Sequence, residues 1–263
     1  IFPKGLVQLV QGDGEIGAAV LDAGIDGIVF TGSVATGKRV SVAAAERLIP
    51  CSVELGGKDA AIVLADCDFE RTALGVAYWA LHKAGQNCAG LERVYVEEAI
   101  ADRFVERVAH IMKAVRVNTD PSGQSEAEMA PLQNAAQLAI VERHVSDAVK
   151  RGARLVCGGK ATGQGYGYLP TLLDGCDESM QVVHEETFGP VLAVVRVKDA
   201  DEAVRRANDS RYGLNGSIWT RDLSRALRVS RAVQTGNLSV NSNSSVRYST
   251  PFGGFKQSGL GRE

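Results

Sequence analysis

The chain has 263 residues, of which 45% are hydrophobic and 23% charged, and this composition excludes an intrinsically disordered protein. The 29 basic and 31 acidic residues are spread along the sequence and leave a net charge of -2, so no basic surface for nucleic acid or an anionic membrane is expected. We therefore expect a small-molecule partner, with no nucleic acid and no membrane.

The cysteines and the apolar segments favour a cytoplasmic protein. The five cysteines are widely spaced, without a CxxC pair or a Cys/His set of the kind that binds zinc, which is typical of a reducing compartment and predicts no metal. No apolar run is long enough to span a bilayer, and the N-terminus has no secretory signal pattern.

Strands and helices alternate along the chain, as their hydrophobic periodicity and turn residues indicate. The predicted strands lie at 6–10, 27–30, 53–55, 60–64, 93–96, 154–157, 191–197, 216–219 and 238–240. The predicted helices lie at 16–23, 35–48, 69–81, 100–115, 131–151, 200–208 and 223–232, the fifth being the longest element. This alternation predicts an α/β protein with a largely parallel sheet.

Local signals fix some of these elements more closely. Asp68 is a suitable N-cap for the helix that ends at Leu81, in which apolar residues recur at helical spacing at positions 74, 77, 78 and 81. Asp199 and Glu202 predict a capping box. Residues 118–128 are polar and predict an exposed loop, whereas the aromatic residues in 241–261 indicate an ordered loop.

Gly32 and Ser33 lie where a predicted strand gives way to a helix. Free backbone N–H groups and the helix dipole at such a point bind phosphate well. A glycine turn with a serine N-cap explains the same residues without any ligand. No GxGxxG fingerprint is present to decide between the two.

Glu54 and Cys88 are candidates for acid–base and nucleophilic chemistry. Glu54 ends a short apolar strand just before Gly56 and Gly57, where a carboxylate faces a crevice. Cys88 lies in a glycine-bounded loop, where substrate has access and backbone N–H groups lower a thiol pKa and bind an oxyanion. A solvated glutamate and an inert thiol are the alternatives, and the inert state is expected for the other four cysteines.

The turn from Glu185 to Pro190 combines two carboxylates, an aromatic ring and a rigid proline before a predicted strand. Glu186 is suited to ribose hydroxyls and Phe188 to packing on a flat ring. Surface charge before a strand is the alternative.

Five motifs together resemble those of the aldehyde dehydrogenase superfamily, in the same order along the chain. They are Phe30-Thr31-Gly32-Ser33 with Thr36-Gly37, Val53-Glu54-Leu55-Gly56-Gly57-Lys58, Gly85-Gln86-Asn87-Cys88, Glu185 to Pro190, and Pro251 to Lys256 with Ser258-Gly259. The resemblance spans essentially all 263 residues. It corresponds to the C-terminal portion of the family chain, without the N-terminal part of the coenzyme domain and the extreme C-terminal strand.

The resemblance implies an NAD(P)-dependent enzyme that oxidises an aldehyde to a carboxylic acid. Cys88 would attack the aldehyde, and Glu54 would activate water to hydrolyse the resulting thioester. The cofactor, NAD or NADP, would contact Gly32, Ser33, Leu55, Gly56, Glu186 and Phe188. The substrate channel would contain Asn87, Ala89, Ser245 and Phe252. The family also implies a homo-oligomer if the segments that this sequence lacks are present.

The same resemblance divides the chain into three segments. Residues 1–56 would form the C-terminal part of the NAD(P)-binding domain and residues 57–243 the catalytic domain. Residues 244–263 would form an ordered loop that returns towards the active site and the coenzyme domain.

Two other functions fit the sequence. A coenzyme A-acylating semialdehyde dehydrogenase resolves the thioester with coenzyme A, and Glu54 argues against it. A catalytically inactive fragment or binding partner of the same fold is the second. The aldehyde is undetermined: Arg247 would suit the carboxylate of a semialdehyde, but it also fits an ordinary exposed loop arginine.

Overall fold

The structure is a computed structural model that describes residues 2–118, 128–244 and 249–263. Its strands are β1 (Ile28–Thr31), β2 (Cys51–Glu54), β3 (Asp59–Val63), β4 (Leu91–Glu97), β5 (Arg154–Cys157), β6 (Thr171–Asp174), β7 (Val191–Val197), β8 (Gly216–Trp219), β9 (Ser239–Val240) and β10 (Gly259–Leu260). Its helices are α1 (Gly14–Asp22), α2 (Val34–Glu46), α3 (Phe69–Leu81), α4 (Glu98–Ala114), α5 (Ala135–Lys150), α6 (Gln181–His184), α7 (Ala200–Asn208) and α8 (Leu223–Ala232).

The strands form two sheets. The smaller has the order β1-β2-β10, with β1 and β2 parallel and β10 antiparallel to β2. The larger has seven strands in the order β5-β6-β7-β4-β3-β8-β9, in which the β5–β6 pair is antiparallel and the other described pairs are parallel. The predicted α/β class with a largely parallel sheet is therefore confirmed.

Both faces of the larger sheet are covered. Alternate residues of β3 belong to different core clusters, with Ala61 and Val63 on one face and Ala60 and Ile62 on the other. Helices α3 and α4 contribute to the first cluster, and α5, α7 and α8 contribute to the second. Burial on both faces explains why the strands are continuous apolar runs.

The predicted strand over 6–10 is wrong. These residues have no regular structure, and Leu6, Val7, Leu9 and Val10 are between 64% and 84% exposed. An apolar run becomes a buried strand only where a neighbouring strand pairs with it, and no described strand pairs with this one.

Most other predicted elements are confirmed, with shifted ends. The helix predicted over 131–151 begins at Ala135, because Asn134 caps it, and α4 is the longer helix, with 17 residues against 16. The predicted strand over 238–240 is shorter by one residue. Sequence patterns missed the four-residue elements β6 and α6, and they missed β10 within the segment expected to lack regular structure.

In α3 the predicted cap is confirmed but the predicted apolar stripe is partly wrong. The Asp68 side chain accepts a hydrogen bond from the N–H of Arg71. Leu74 and Tyr78 are more than half exposed, because the face that packs on the sheet carries smaller residues such as Ala73 and Val76. Of the predicted loop at 118–128, residues 119–127 lie outside the described part of the chain.

Candidate active site

Three segments that carry predicted site residues meet at one edge of the larger sheet. Residues 55–58 lead into β3, the loop around Cys88 leads into β4, and the turn at 185–190 leads into β7. These strands are adjacent and parallel, in the order β7-β4-β3, so their N-terminal ends lie at the same edge. The fold therefore brings together segments that lie far apart in the sequence.

Glu54 ends β2 and is 4% exposed. Neither of its carboxylate oxygens has a hydrogen-bond partner among the described residues. Burial raises the pKa of Glu54 to about 7, with a further increase from the charge of Glu263 and an opposing effect of Arg262. A buried carboxylate with free lone pairs and a pKa near neutrality has the properties of a general base.

Cys88 lies in the loop that follows the 3-10 turn His82–Gly85, and its side chain is half-buried. Its sulfur lies 3.9 Å from the side-chain oxygen of Asn87, which also accepts the N–H of Ala89 at 3.2 Å. The expected lowering of the Cys88 thiol pKa is wrong. Burial raises the pKa of Cys88, and the charges of Asp59 and Glu186 raise it further, which outweighs the local backbone N–H groups.

Two asparagines from distant segments hold the Cys88 loop. The carbonyl oxygen of Ala89 accepts hydrogen bonds from the side-chain amides of Asn215, at 3.4 Å, and Asn243, at 3.3 Å. Asp59 in turn accepts the N–H of Asn215 at 3.1 Å. The Ala89 side chain is buried, and the hydrogen bonds to its carbonyl oxygen anchor the loop.

Glu186 lies against the segment that follows Glu54. One of its carboxylate oxygens accepts the N–H of Gly57 at 3.1 Å, and the carboxylate covers the Cα of Gly56. Burial is the main reason that the pKa of Glu186 rises to about 7. Leu55 is also buried here, and its N–H donates to the carbonyl of Ser258 at 2.9 Å.

Gly32 and Ser33 lie between β1 and α2. The N–H of Gly32 donates to the carbonyl of Glu54 at 3.1 Å, and the Ser33 hydroxyl accepts the N–H of Thr36 at 3.2 Å. Ser33 is therefore the N-cap of α2 in this structure. A groove of about 750 Å³ lies beside it between α1, β1 and α2, and its lining includes Leu21, Ile25, Ile28, Val40, Thr36 and Arg39.

The remaining predicted residues lie outside this cluster of contacts or outside the described chain. Phe252 is half-buried, and its backbone exchanges two hydrogen bonds with that of Glu263, each of 2.9 Å. Ser245 and Arg247 lie outside the described residues. Cys67, Cys157 and Cys176 are buried as expected, whereas Cys51 is only half-buried because it begins strand β2 near the surface.

Several buried polar residues in the site were missed from the sequence. These residues are at most 4% exposed: Lys58, Glu92, Asn215 and Asn243, which contact the Cys88 loop or the Glu186 turn, and Asp59, which bonds to Asn215. One sequence signal could have indicated them: the charged pair Glu92-Arg93 stands in an apolar strand. Charged residues are rarely buried without a partner, so this pair predicts buried polar partners nearby.

Comparison with known proteins gives the family of the chain. The family model described as "Aldehyde dehydrogenase family" matches residues 1–263. The chain belongs to the aldehyde dehydrogenase family. Among curated members it is 41% identical to the mitochondrial aldehyde dehydrogenase of Leishmania tarentolae, over 100% of this chain and 53% of that protein.

Solved members of the aldehyde dehydrogenase family share the fold. One is the Mycobacterium tuberculosis aldehyde dehydrogenase complexed with NAD+, with a TM-score of 0.93 and 37% identity over 99% of this chain and 54% of that one. Another is the NADP-dependent glyceraldehyde-3-phosphate dehydrogenase of Bacillus halodurans C-125 complexed with NADP, with a TM-score of 0.89 and 38% identity over 97% of this chain and 52% of that one. The chain spans about half the length of the relatives it matches.

In ranges 2–118, 128–244 and 249–263, no group of three His, Cys, Asp or Glu side chains is placed to hold a metal ion. Within those ranges, no helix has the length and apolar character needed to cross a membrane.

Proposed function

We propose that the protein containing this aldehyde dehydrogenase chain oxidises an aldehyde to a carboxylic acid with NAD or NADP, using Cys88 as nucleophile and Glu54 as general base. The observation that carries the proposal is Glu54 itself, a buried carboxylate without a partner among the described residues, whose pKa is about 7. It precedes the segment that packs on the Cys88 loop, since a Cβ on Gly57 would lie 2.7 Å from the Cys88 carbonyl oxygen.

The coenzyme fits the residues present. The apolar groove between α1, β1 and α2 suits a flat adenine ring, and the N-terminus of α2 beside it suits the pyrophosphate. Gly56 has no side chain to obstruct a nicotinamide ring, and the buried Glu186 offers carboxylate oxygens to ribose hydroxyls. When bound, the coenzyme accepts the hydride that leaves the substrate.

The residues of the chain account for the other steps. The Cys88 thiolate adds to the aldehyde carbon to give a thiohemiacetal, whose oxyanion is held in part by the Cys88 N–H. Loss of hydride leaves a thioester on Cys88. Glu54 then takes a proton from water, which attacks the thioester carbonyl and releases the carboxylic acid and the thiol.

The division of the chain into functional segments is part of this proposal. Residues 1–56 belong to the coenzyme-binding domain, 57–243 to the catalytic domain and 244–263 to a returning loop. The change from the smaller to the larger sheet between Glu54 and Asp59 supports the first boundary. Strand β10, which pairs with β2, supports the return of the last segment.

Single-turnover kinetics test the proposal, using the whole polypeptide that its gene encodes. We expect Cys88→Ser to abolish NADH formation from a panel of aldehydes. We expect Glu54→Gln to form about one equivalent of NADH rapidly and then turn over roughly 100- to 10,000-fold more slowly than the wild type. Full steady-state turnover by Cys88→Ser would refute the assignment of Cys88 as the nucleophile. An acyl-coenzyme A product would favour the coenzyme A-acylating function instead.

A further inference from the structure

Glu92 is a buried acid in the middle of the sheet that the steps above do not use. It is 3% exposed and lies on β4, four residues after Cys88. Its carboxylate forms an ion pair with Lys58, which is 1% exposed and follows Gly57 directly. Burial lowers the pKa of Lys58, and the attraction of Glu92 opposes that effect.

The same carboxylate holds the turn that carries Glu186. Its two oxygens accept the consecutive N–H groups of Thr187, at 2.7 Å, and Phe188, at 2.8 Å. Phe188 has a φ of 49°, in the left-handed region that a residue with a bulky side chain avoids. Such a conformation persists only where surrounding contacts hold it, and Glu92 supplies two of them.

Other buried groups complete the hold on this turn. The Thr187 hydroxyl accepts a hydrogen bond from Lys58 at 3.0 Å and shares another with His144 at 3.1 Å. The Gln137 amide donates to the carbonyls of Thr187, at 2.7 Å, and Phe188, at 3.0 Å. Side chains of β4 and α5 thus bond the backbone of the turn, and Lys58 and His144 bond the Thr187 side chain.

Lys58 links this turn to the other side of the coenzyme site. The N–H of its neighbour Gly57 holds the Glu186 carboxylate, so Lys58 and Glu92 together fix both the segment under the carboxylate and the turn that carries it. A buried ion pair contributes little net stability compared with apolar residues of similar size. The contacts of this pair therefore point to a geometric role.

We propose that the buried Lys58–Glu92 pair is a positioning device that sets Glu186 and Phe188 for the nicotinamide half of the coenzyme. The inference rests on the proposed function, because it presumes that this turn contacts NAD or NADP. Lys58 and Glu92 act through Glu186 and Phe188 and do not touch the reacting atoms.

The test compares two neutralised acids on the same strand, again in the whole encoded polypeptide. Glu92→Gln keeps the shape of the side chain but replaces one carboxylate oxygen by an NH2 group. That NH2 group would face another donor, either a backbone N–H of the turn or Lys58. Glu97→Gln is the matched control, since Glu97 is also a buried acid of β4 but bonds to Ala65 and Arg225, away from the turn. NADH affinity is measured by fluorescence titration, and folding by thermal melting.

We expect Glu92→Gln to weaken NADH binding about 10- to 100-fold, the loss that follows from a disrupted charge-assisted hydrogen-bond pair. The KM for coenzyme should rise with the dissociation constant. Glu97→Gln should have an NADH dissociation constant within about twofold of the wild-type value, even if its melting temperature is as low as that of Glu92→Gln. Thr187→Val, which removes the shared hydroxyl, gives a weaker effect in the same direction and serves if Glu92→Gln does not fold.

Two negative outcomes are distinguishable. If the wild type binds NADH and a folded Glu92→Gln protein binds it equally well, the pair is structural only and the inference is overturned. If the wild type itself binds neither NADH nor NADPH, the proposed function fails, and the inference fails with it.

Discussion

The carboxylate of Glu186 occupies the space that a side chain at Gly56 would need. A Cβ added at Gly56 would stand 2.5 Å from the carboxyl carbon of Glu186, which is closer than real Cβ contacts allow. The two residues are 130 positions apart in the sequence, and the hydrogen bond from Gly57 to Glu186 brings them together. Glycine at position 56 thus leaves the space that the Glu186 carboxylate occupies.

Gly56→Ala is therefore expected to displace Glu186 and weaken coenzyme binding. Because an overlap of this size forces the carboxylate away, we expect at least about a tenfold rise in the NADH dissociation constant, measured by fluorescence titration. A double-mutant cycle supplies the control. In a Glu186→Ala background the overlap is already relieved, so the same glycine substitution should cost much less. Equal costs in both backgrounds would contradict the steric explanation.

The raised pKa of Glu54 predicts how stability depends on pH. Its folded-state pKa is about 7 against an ordinary value of 4.5, so folding favours the protonated acid. The penalty for the buried charge is absent below about pH 4.5 and complete above about pH 7. Glu54→Gln carries no such charge. It should therefore gain roughly 1 to 3 kcal/mol relative to the wild type between about pH 5 and about pH 8.

Urea unfolding of the wild type and Glu54→Gln at the two pH values measures this change. Glu186 also has a pKa of about 7, but it is present in both proteins and cancels in the comparison. A difference that stays constant with pH would mean that Glu54 is ionised in the fold without penalty.

The thiol of Cys88 should be a poor nucleophile in the ligand-free protein at neutral pH. Burial and the charges of Asp59 and Glu186 raise its pKa, so the rate of iodoacetamide labelling should still climb at alkaline pH where an ordinary thiol has levelled off. Glu186→Gln removes one of the two charges and should move the profile to lower pH. Mass spectrometry of tryptic peptides assigns the label, with Cys88→Ser as the control. A profile that levels off near neutrality would contradict the raised pKa.

The order of the elements was predictable because each has a local cause. The strands β3, β4 and β7 are buried on both faces and so appear as apolar runs, and caps such as Asp68 and Asp199 mark helix starts. The run at 6–10 has the same appearance but no described strand beside it, and a sequence pattern does not contain that information. Likewise, Leu74 and Tyr78 fit a helical stripe, although the sheet packs against a neighbouring face of α3.

Motifs predicted only those site residues whose sequence neighbours are themselves informative. Glu54, Cys88 and Glu186 each stand beside glycines or a proline, which distinguishes their surroundings. Glu92 has only the weaker signal of a charged pair with Arg93. The sequence does not show its partners, because Lys58 and Thr187 lie 34 and 95 residues away. Burial also reversed one expectation, since local N–H groups at Cys88 are visible in the sequence but the desolvation of its sulfur is not.

The N-terminus of α7 provides a stability prediction that is independent of the active site. The Asp199 carboxylate accepts the N–H of Glu202 at 2.8 Å, as a capping box requires, but the Glu202 carboxylate accepts the N–H of Lys198 rather than that of Asp199. Asp199 therefore supplies the cap itself, and Asp199→Ala should lower the free energy of unfolding by about 1 kcal/mol.

Asp201→Ala is the matched control, because Asp201 is the same residue type in the first turn of the same helix but caps no N–H group in the described structure. The Asp201 carboxylate interacts favourably with the helix dipole, so its removal should lower the free energy of unfolding by only about a few tenths of a kcal/mol. Asp199→Asn keeps an acceptor oxygen and should recover most of the stability that Asp199→Ala loses. If urea unfolding gave equal losses for Asp199→Ala and Asp201→Ala, the charge near the helix dipole, and not the hydrogen bond, would be the source of the stabilisation.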